Sequence, residues 1–339
     1  MLSRPPRVSI VLPTHHRQTL LGEALASLEA QHYPDWEVIV VDDASTPPVD
    51  LSRLVRSHPK LHGVRHGSPL GGAAGKNSGL AVGRGEILAF LDDDDLYDPA
   101  YLERSVAILD RYPAIDVLFM GVAWFGRAAT YGERAHSESL ARTLAEARPT
   151  LLEPNLLLFG DGLLPTLLRR VPMPFQRPVV RRAALERIGL YRADCLLWDC
   201  EWALRAAMAA RCALLHEPLY RQRADGQGFS SRPDRERDYL ESRLEMVLQL
   251  HRNPPFPIPG TTRRLLRGAA SRAAADLAYH HSQRGVVEVC ARAWWRSERI
   301  RPSLSRPKLP LEAISRGPAH HASTLIAPTW ARTLINELS

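Results

Sequence analysis

The chain begins with an apolar, β-branched run, Arg7-Val8-Ser9-Ile10-Val11-Leu12-Pro13, closed by a proline. A run this short and rich in valine and isoleucine predicts a buried strand. From Gln18 to Gln31 the apolar residues Leu21, Ala24, Leu25 and Leu28 recur at helical spacing, so a helix with one inward face follows. The alternation continues with a strand at Glu37 to Val41, a short helix at Leu51 to Ser57 and a weaker strand at Gly63-Val64-Arg65. Gly71-Gly72 opens a helix running to Val82, and Glu86 to Leu91 reads as another buried strand. A helix from Pro99 to Arg111, with Asp98 ahead of a proline suited to the first helical position, precedes a strand at Asp116 to Phe125. Strands alternating with helices require crossover connections, which predicts an α/β fold with a mainly parallel sheet flanked by helices.

The pattern then changes. Arg127 to Ser231 is less regular and richer in proline, with a helix at Asp199 to Ala210 and a strand-like Ala213-Leu214-Leu215-His216. Beyond Arg232 the periodicity is helical, over Arg235 to His251, Thr261 to Arg284 and Val286 to Arg296. The proline-spaced stretch Pro254 to Pro259 separates the first two as an extended linker. The chain therefore divides into residues 1–125, 126–231 and a C-terminal helical extension, 232–339, weakly patterned from Arg301 onward.

Composition narrows the class. With 339 residues, 45% hydrophobic and 24% charged, the chain carries enough apolar material to offset the entropy of ordering. Its most apolar run, Val117 to Phe125, is about half of the roughly 20 residues needed to cross a bilayer. The first residues lack a signal-peptide apolar region, so a cytoplasmic location is expected. Cys195, Cys200, Cys212 and Cys290 show no C-x-x-C spacing and read as reduced structural thiols. The net charge of +7 is uneven: from Thr261 onward 13 arginines and lysines face five acids. An anionic partner such as the inner face of a membrane would meet the protein there, as a peripheral contact. Trp294-Trp295, beside Arg292, Arg296 and Arg299, suit such an interface; packing onto the catalytic domain is the better reading, because tryptophan is usually mostly buried. No recognisable nucleic-acid module accompanies the basic residues, so nucleic acid is not an expected partner.

Candidate chemistry lies where the strands end. Ligands of open α/β sheets bind outside the carboxyl ends of the strands. The first strand delivers Thr14-His15-His16, the second Asp42-Asp43, and the strand ending at Leu91 delivers Asp92-Asp93-Asp94-Asp95. Four consecutive aspartates repel one another and call for a partner or a cation. An isolated acidic run is usually a solvated loop; at a strand terminus, its hard oxygens suit Mg²⁺ or Mn²⁺. Such an ion can clamp a diphosphate and neutralise its charge as it leaves.

Pro13-Thr14-His15-His16-Arg17, Val41-Asp42-Asp43-Ala44-Ser45, Gly75-Lys76-Asn77 and Leu91-Asp92-Asp93-Asp94-Asp95-Leu96-Tyr97-Asp98-Pro99 resemble, in order and spacing, the successive motifs of family 2 glycosyltransferases. The resemblance runs from Arg7 to Arg223. It implies a GT-A fold and an inverting transfer from a nucleotide-diphosphate sugar, UDP-linked, to a hydroxyl of a carbohydrate or lipid-linked acceptor. Mg²⁺ or Mn²⁺ would assist, in cell-surface polysaccharide or glycolipid synthesis. Residues 1–125 would be the nucleotide-sugar-binding half and 126–231 the acceptor-binding half.

By the same resemblance, Asp43 would bond the base, and Pro13, Thr14 and His15 would pack on base and ribose. Asp92 and Asp94 match the D-x-D pair, with Asp94 the direct metal ligand and Asp93 near ribose and phosphates. Lys76-Asn77 stands where the family usually has Arg-Asn; lysine keeps the charge but loses the bidentate fork. His15-His16 replaces the common Tyr-Asn. Leu197-Trp198-Asp199-Cys200-Glu201-Trp202-Ala203-Leu204-Arg205 resembles the E-D-x-D-x-x-x-R segment, with Trp198 in place of the leading glutamate. Asp199, six residues before Arg205, falls on the general base that an inverting transfer needs. The plain alternative is a helix cap. Gln176 would contact the acceptor, Glu201 would orient the acceptor or brace the site, Arg181 and Arg182 would form a solvated turn, and His216 with Tyr220 to Arg223 would lie near the diphosphate.

Three other readings compete. A nucleotidyltransferase making a nucleotide sugar would show a Gly-rich basic loop after the first strand, which Pro13-Thr14-His15-His16 is not, and a phosphatase with an aspartyl nucleophile carries its D-x-D after the first strand. An inactive nucleotide-sugar-binding protein need not retain both the D-x-D set and Asp199.

Overall fold

A computed structural model describes residues 4–225 and 235–283. The N-terminal half follows the hydrophobic pattern closely. Strand β1 (Val8–Thr14) leads to helix α1 (Gln18–Glu29), β2 (Trp36–Asp42), α2 (Leu51–Ser57), β3 (Leu61–Arg65), α3 (Gly72–Val82), β4 (Ile87–Phe90), the two-residue β5 (Leu96–Tyr97), α4 (Tyr101–Arg111) and β6 (Val117–Phe125). The second half adds α5 (Ala129–Ala147), β7 (Thr150–Glu153), β8 (Leu156–Leu158), α6 (Leu163–Leu167), a 3₁₀ turn at Met173–Gln176, β9 (Pro178–Arg181), α7 (Arg182–Ile188), α8 (Trp198–Ala209) and β10 (Cys212–Arg223). Helices α9 (Glu236–Arg252) and α10 (Gly260–Gln283) follow.

Ten strands form one sheet in the order β3-β2-β1-β4-β9-β6-β10-β8-β7, with β5 joined to β10. The first four lie parallel, as the crossovers require. The second half is mixed: β9 runs antiparallel between β4 and β6, and β7, β8 and β5 are antiparallel additions. β6 and β10 are parallel to each other.

Helices cover both faces. α1, α2 and α4 close one face through residues such as Leu21, Leu25, Leu102 and Leu109. α3, α5, α6, α7 and α8 close the other, and α9 and α10 dock on that same core through Met246, Val247, Leu250 and Leu266. The extension is thus helical over its described part and packed, not free. Residues 253–259 connect its two helices, where the proline spacing predicts a linker. The basic residues beyond Gln283, Trp294-Trp295 and Cys290 lie outside the described residues. Cys195, Cys200 and Cys212 are free thiols. No helix among the described residues is long and apolar enough to cross a membrane.

Several elements escaped the pattern, among them β5, β7, β8, α6, β9 and α7, and two show why. Helix α5 is largely polar, with Leu140, Thr143 and Ala147 its buried residues. β10 runs far past His216 because its ladder to β6 resumes at Tyr220 after an irregularity that contains Pro218. A proline at that point disguises the continuation, since it cannot donate to a ladder.

Candidate functional site

The site is assembled by close packing of α3 on β1. A Cβ at Gly79 would lie 2.3 Å from Val11 Cγ1, and one at Gly75 would lie 2.9 Å from Pro13 Cβ. Only glycines allow the helix to lie so flat on the strand. The consequence is the position of Lys76. It is 2% exposed, with Nζ 2.9 Å from Asp92 Oδ1 and 4.6 Å from the centre of the Trp198 ring. An ammonium buried this way needs both its carboxylate and the ring faces around it.

The aspartate run turns sharply after β4, and each carboxylate has a different environment. Asp92 meets Lys76 on one oxygen and Arg177 Nη2 on the other, at 3.3 Å. Burial works against its charge, but Lys76 and Arg177 outweigh that and hold its carboxyl well below the usual range. Asp93 accepts from Thr14 Oγ1 at 2.7 Å and from Arg17 Nη1 at 3.1 Å. Burial, with Asp94 adding, pushes it up to about 6. Asp94 accepts from Arg17 at 2.8 Å, and is raised by burial and by Asp92. Asp95 is anchored to β10: Tyr220 Oη and the Arg223 amide donate to it at 2.8 and 2.9 Å, and burial raises it too. Four carboxylates thus share three side-chain cations, Arg17, Lys76 and Arg177. The Arg223 guanidinium is engaged with Glu23, Asp225 and the Asp94 carbonyl.

Asp43 is held by the fold. Its Oδ1 accepts from the Leu70 amide and lies 2.7 Å from His66 Nδ1, while Oδ2 accepts from the Gly71 amide at 2.8 Å. Burial raises its carboxyl, but these donors prevail and lower it. Gly71, at φ +88°, turns the chain so that both amides face this carboxylate. His15 and His16 are exposed at the cleft mouth, rings 4.0 Å apart; His15 Nδ1 contacts the Asp43 carbonyl and Pro13 lies under α3. Asn77 is committed elsewhere: its side-chain amide exchanges two hydrogen bonds, at 2.8 and 3.0 Å, with the Tyr191 backbone. It ties α3 to the segment before α8, with one N–H and one oxygen lone pair still unused.

Asp199 stands within electrostatic reach of the aspartate cluster. Its neighbour Trp198 stacks over Lys76, the Tyr191 ring meets the Trp198 edge at 5.2 Å, and Arg177 feels the charges of Asp92, Asp95 and Asp199 together. The N-cap of α8 is Leu197, so Asp199 lies inside the first turn, where its Oδ1 accepts from the Cys200 amide at 2.7 Å. It is half-buried. Glu201, expected to orient the acceptor or brace the site, takes the second role. It is fully buried and clasps Arg205 through bonds of 2.8 to 3.0 Å, because two residues further along a helix points to another side. Arg205 then donates to the carbonyls of Ile188 and Leu190. Gln176 is half-buried and donates to the Val171 carbonyl at 3.0 Å.

Three further expectations change. Arg181 and Arg182 do not form a solvated turn: Arg181 binds the Ile115 and Leu109 carbonyls, and Arg182 those of Gly83 and Gly85. His216 is exposed and faces His136 across a groove beside α5, away from the aspartates. Of the residues that follow, Tyr220 and Arg223 do reach them. Sequence reasoning missed Arg177 and Tyr191, and it gave Arg17 and His66 no role. Arg177, between Gln176 and Pro178, carries no local signal that it is buried.

Among the described residues no group of three or more His, Cys, Asp or Glu side chains is arranged to hold a metal ion. Asp92 and Asp94 nonetheless fit one as hard oxygen donors in a cluster with more carboxylates than cations. The remaining ligands would have to be phosphate oxygens and water, the manner in which Mg²⁺ is commonly held.

Comparison with known proteins follows this geometry. The helix-flanked mixed sheet is the GT-A fold. A crystal structure of S. aureus TarS 1-349 in complex with UDP-GlcNAc superposes with a TM-score of 0.58, covering 86% of this chain and 89% of that one at 16% identity. The Pyrobaculum calidifontis mannosyltransferase PcManGT, in complex with GDP-Man and Mn²⁺, superposes with a TM-score of 0.51 over 99% of this chain and 82% of that one, at 20% identity. Residues 9–161 match the family model described as glycosyl transferase family 2. The putative glycosyltransferase EpsE of Bacillus subtilis is 26% identical over 235 residues, 67% of this chain and 76% of that protein. Three curated relatives at 32 to 36% identity are matched over only 13%, 10% and 37% of their own lengths.

Proposed function

We propose that the protein is an inverting, metal-assisted glycosyltransferase that moves a sugar from a nucleotide-diphosphate donor, UDP-linked, to a hydroxyl acceptor in cell-surface polysaccharide or glycolipid synthesis. One observation carries the reading. Four aspartates share three cations at the carboxyl ends of the parallel strands, and the charge of a fifth, Asp199 on another element, is felt at Arg177. An excess of buried carboxylates is costly unless a cation joins them, and a nearby carboxylate with an exposed side is what proton removal from an alcohol requires.

In this reading Asp94 and Asp92 hold Mg²⁺ or Mn²⁺ jointly with the diphosphate. The ion would neutralise the charge that grows on the leaving nucleotide diphosphate. Lys76 supplies a fixed cation beside Asp92, while Thr14 and Arg17 hold Asp93 toward the donor. Pro13 and His15 border the space for base and ribose, and Asp43, already accepting three contacts, both shapes the loop at Gly71 and keeps one lone pair for the base. Asp199 takes the acceptor proton; its bond to the Cys200 amide leaves Oδ2 to face the alcohol. Gln176 borders the acceptor side. Residues 1–125 bind the donor, 126–231 the acceptor, and the helices beyond 232 brace the second half. The protein works in the cytoplasm, where an anionic partner such as the inner membrane face would meet its basic C-terminal residues. The curated relatives include an O-antigen biosynthesis protein of Myxococcus xanthus and an undecaprenol-linked glucosyltransferase of Campylobacter jejuni, which supports a polysaccharide or lipid-linked acceptor.

The test is release of nucleoside diphosphate from a panel of nucleotide sugars with Mn²⁺ and a bacterial lipid-linked acceptor extract. Turnover with one donor, lost on adding a chelator, is expected. Donors that bind but are never turned over would favour an inactive nucleotide-sugar-binding protein.

A further inference from the structure

Arg177 is the most unusual charge in the molecule. It is 6% exposed, at the end of the 3₁₀ turn that leads into β9, and its guanidinium rests 4.9 Å from the centre of the Tyr220 ring. Its Nε is buried with no hydrogen-bond partner. Nη1 donates to the Gln176 carbonyl at 3.2 Å, and Nη2 sits 3.3 Å from Asp92, 3.5 Å from Gln222 and 3.6 Å from Asp95. Charge-assisted bonds normally close to about 2.7–2.9 Å. Arg205 shows the contrast, since its nitrogens reach Glu201 and two carbonyls at 2.5 to 3.0 Å. The Arg177 fork is held in place by the ring beneath it yet is short of acceptors.

Resting on the donor-site reading above, we propose that Arg177 is a second anion clamp of the cleft, which loosens from Asp92 and Asp95 and takes phosphoryl oxygens of the bound nucleotide diphosphate. Asp92 is the most exposed of the four aspartates, at 29%, so an entering ligand meets the Asp92–Arg177 contact early. A planar fork with an unused donor matches the tetrahedral oxygens of a phosphate better than the ammonium of Lys76 does. Any cation drawn to Asp92 and Asp94 weakens the hold of Asp92 on Arg177 and so frees the guanidinium for phosphate. When the donor bond breaks, the diphosphate gains a negative charge, and Arg177 is the buried cation placed to receive it. Arg177 thereby does what a bidentate arginine would do at the position where this chain has Lys76.

The experiment is calorimetric titration of the full chain with UMP, UDP, GMP and GDP in Mn²⁺, for the wild type, Arg177→Met and Arg177→Lys. The wild type is expected to prefer the diphosphate. Arg177→Met should cut that preference about tenfold or more, the value of a hydrogen bond to a charged group, while monophosphate affinity of the folded protein stays near wild type. Arg177→Lys should lose less, and its loss should still be confined to the diphosphate; it stands in if the methionine variant does not fold. An unchanged preference would overturn the proposal and leave the donor site standing. Mono- and diphosphate affinities falling together with Tm would make Arg177 a structural strut, which also overturns it. A wild type that binds no nucleotide diphosphate would remove the donor-site reading itself, and this proposal with it.

Discussion

Two buried ionic clusters lie on facing elements of this molecule, and they are built on opposite plans. Glu201 and Arg205 form a one-to-one pair on a single helix, and the arginine spends its remaining donors on the carbonyls of Ile188 and Leu190. Nothing in it is left over, and its glutamate is sealed from solvent. Asp92 to Asp95, with Arg17, Lys76 and Arg177, form the other cluster, with an excess of acids, long contacts at Arg177 and an opening at Asp92. The same residue types serve cohesion where they are matched and closed, and chemistry where they are mismatched and open. Burial alone does not separate the two cases; stoichiometry and contact length do.

The largest expected effect falls on the residue that faces the open cluster. Asp199→Asn keeps shape and removes the base, so turnover should fall about 10²–10⁴-fold with donor affinity intact, as read by steady-state rates and titration. Near-normal turnover would leave Asp199 a first-turn helix residue only. The closed pair gives the complementary result. Glu201→Gln leaves Arg205 buried without its counter-charge and should cost about 3–5 kcal/mol in urea unfolding, with nucleotide affinity of the folded protein unchanged. A loss of donor binding without a loss of stability would move Glu201 into the site. Smallest is Asn77→Ala, which removes two hydrogen bonds to the Tyr191 backbone. It should lower stability by about 1–2 kcal/mol and leave donor affinity alone. A donor-affinity loss exceeding the stability loss would return Asn77 to the donor site.

The same contrast explains what could be read from the chain. The parallel strands β1, β2 and β4 bury nearly every residue, so they appear as continuous apolar runs, and their polar ends stand out. Helix α3 was legible from its opening glycines; the reason for Gly75 and Gly79, close approach to Pro13 and Val11, was not. The antiparallel β9 gave no sign of its insertion between β4 and β6, because four residues of Pro-Val-Val-Arg look alike in either direction. Residue roles failed where a side chain's direction decides them. Glu201 and Asp199 are two positions apart on one helix, and spacing to Arg205 could not say which of them faced the cleft. Arg177 was invisible for the related reason that a charged residue announces neither its burial nor its partners. Asn77 matched a motif, yet its amide closes on a backbone 114 residues away.

The central claim is that the open cluster binds a cation together with a nucleotide diphosphate, and thermal shift measures this most directly. The wild type and Asp94→Ala are melted with UDP, GDP and their sugars, with and without Mn²⁺. The account predicts that at least one nucleotide raises the wild-type Tm, that Mn²⁺ enlarges the rise by mass action, and that Asp94→Ala loses the Mn²⁺-dependent part. A wild type whose Tm responds to none of these ligands in Mn²⁺, or a response that Asp94→Ala retains in full, would contradict it.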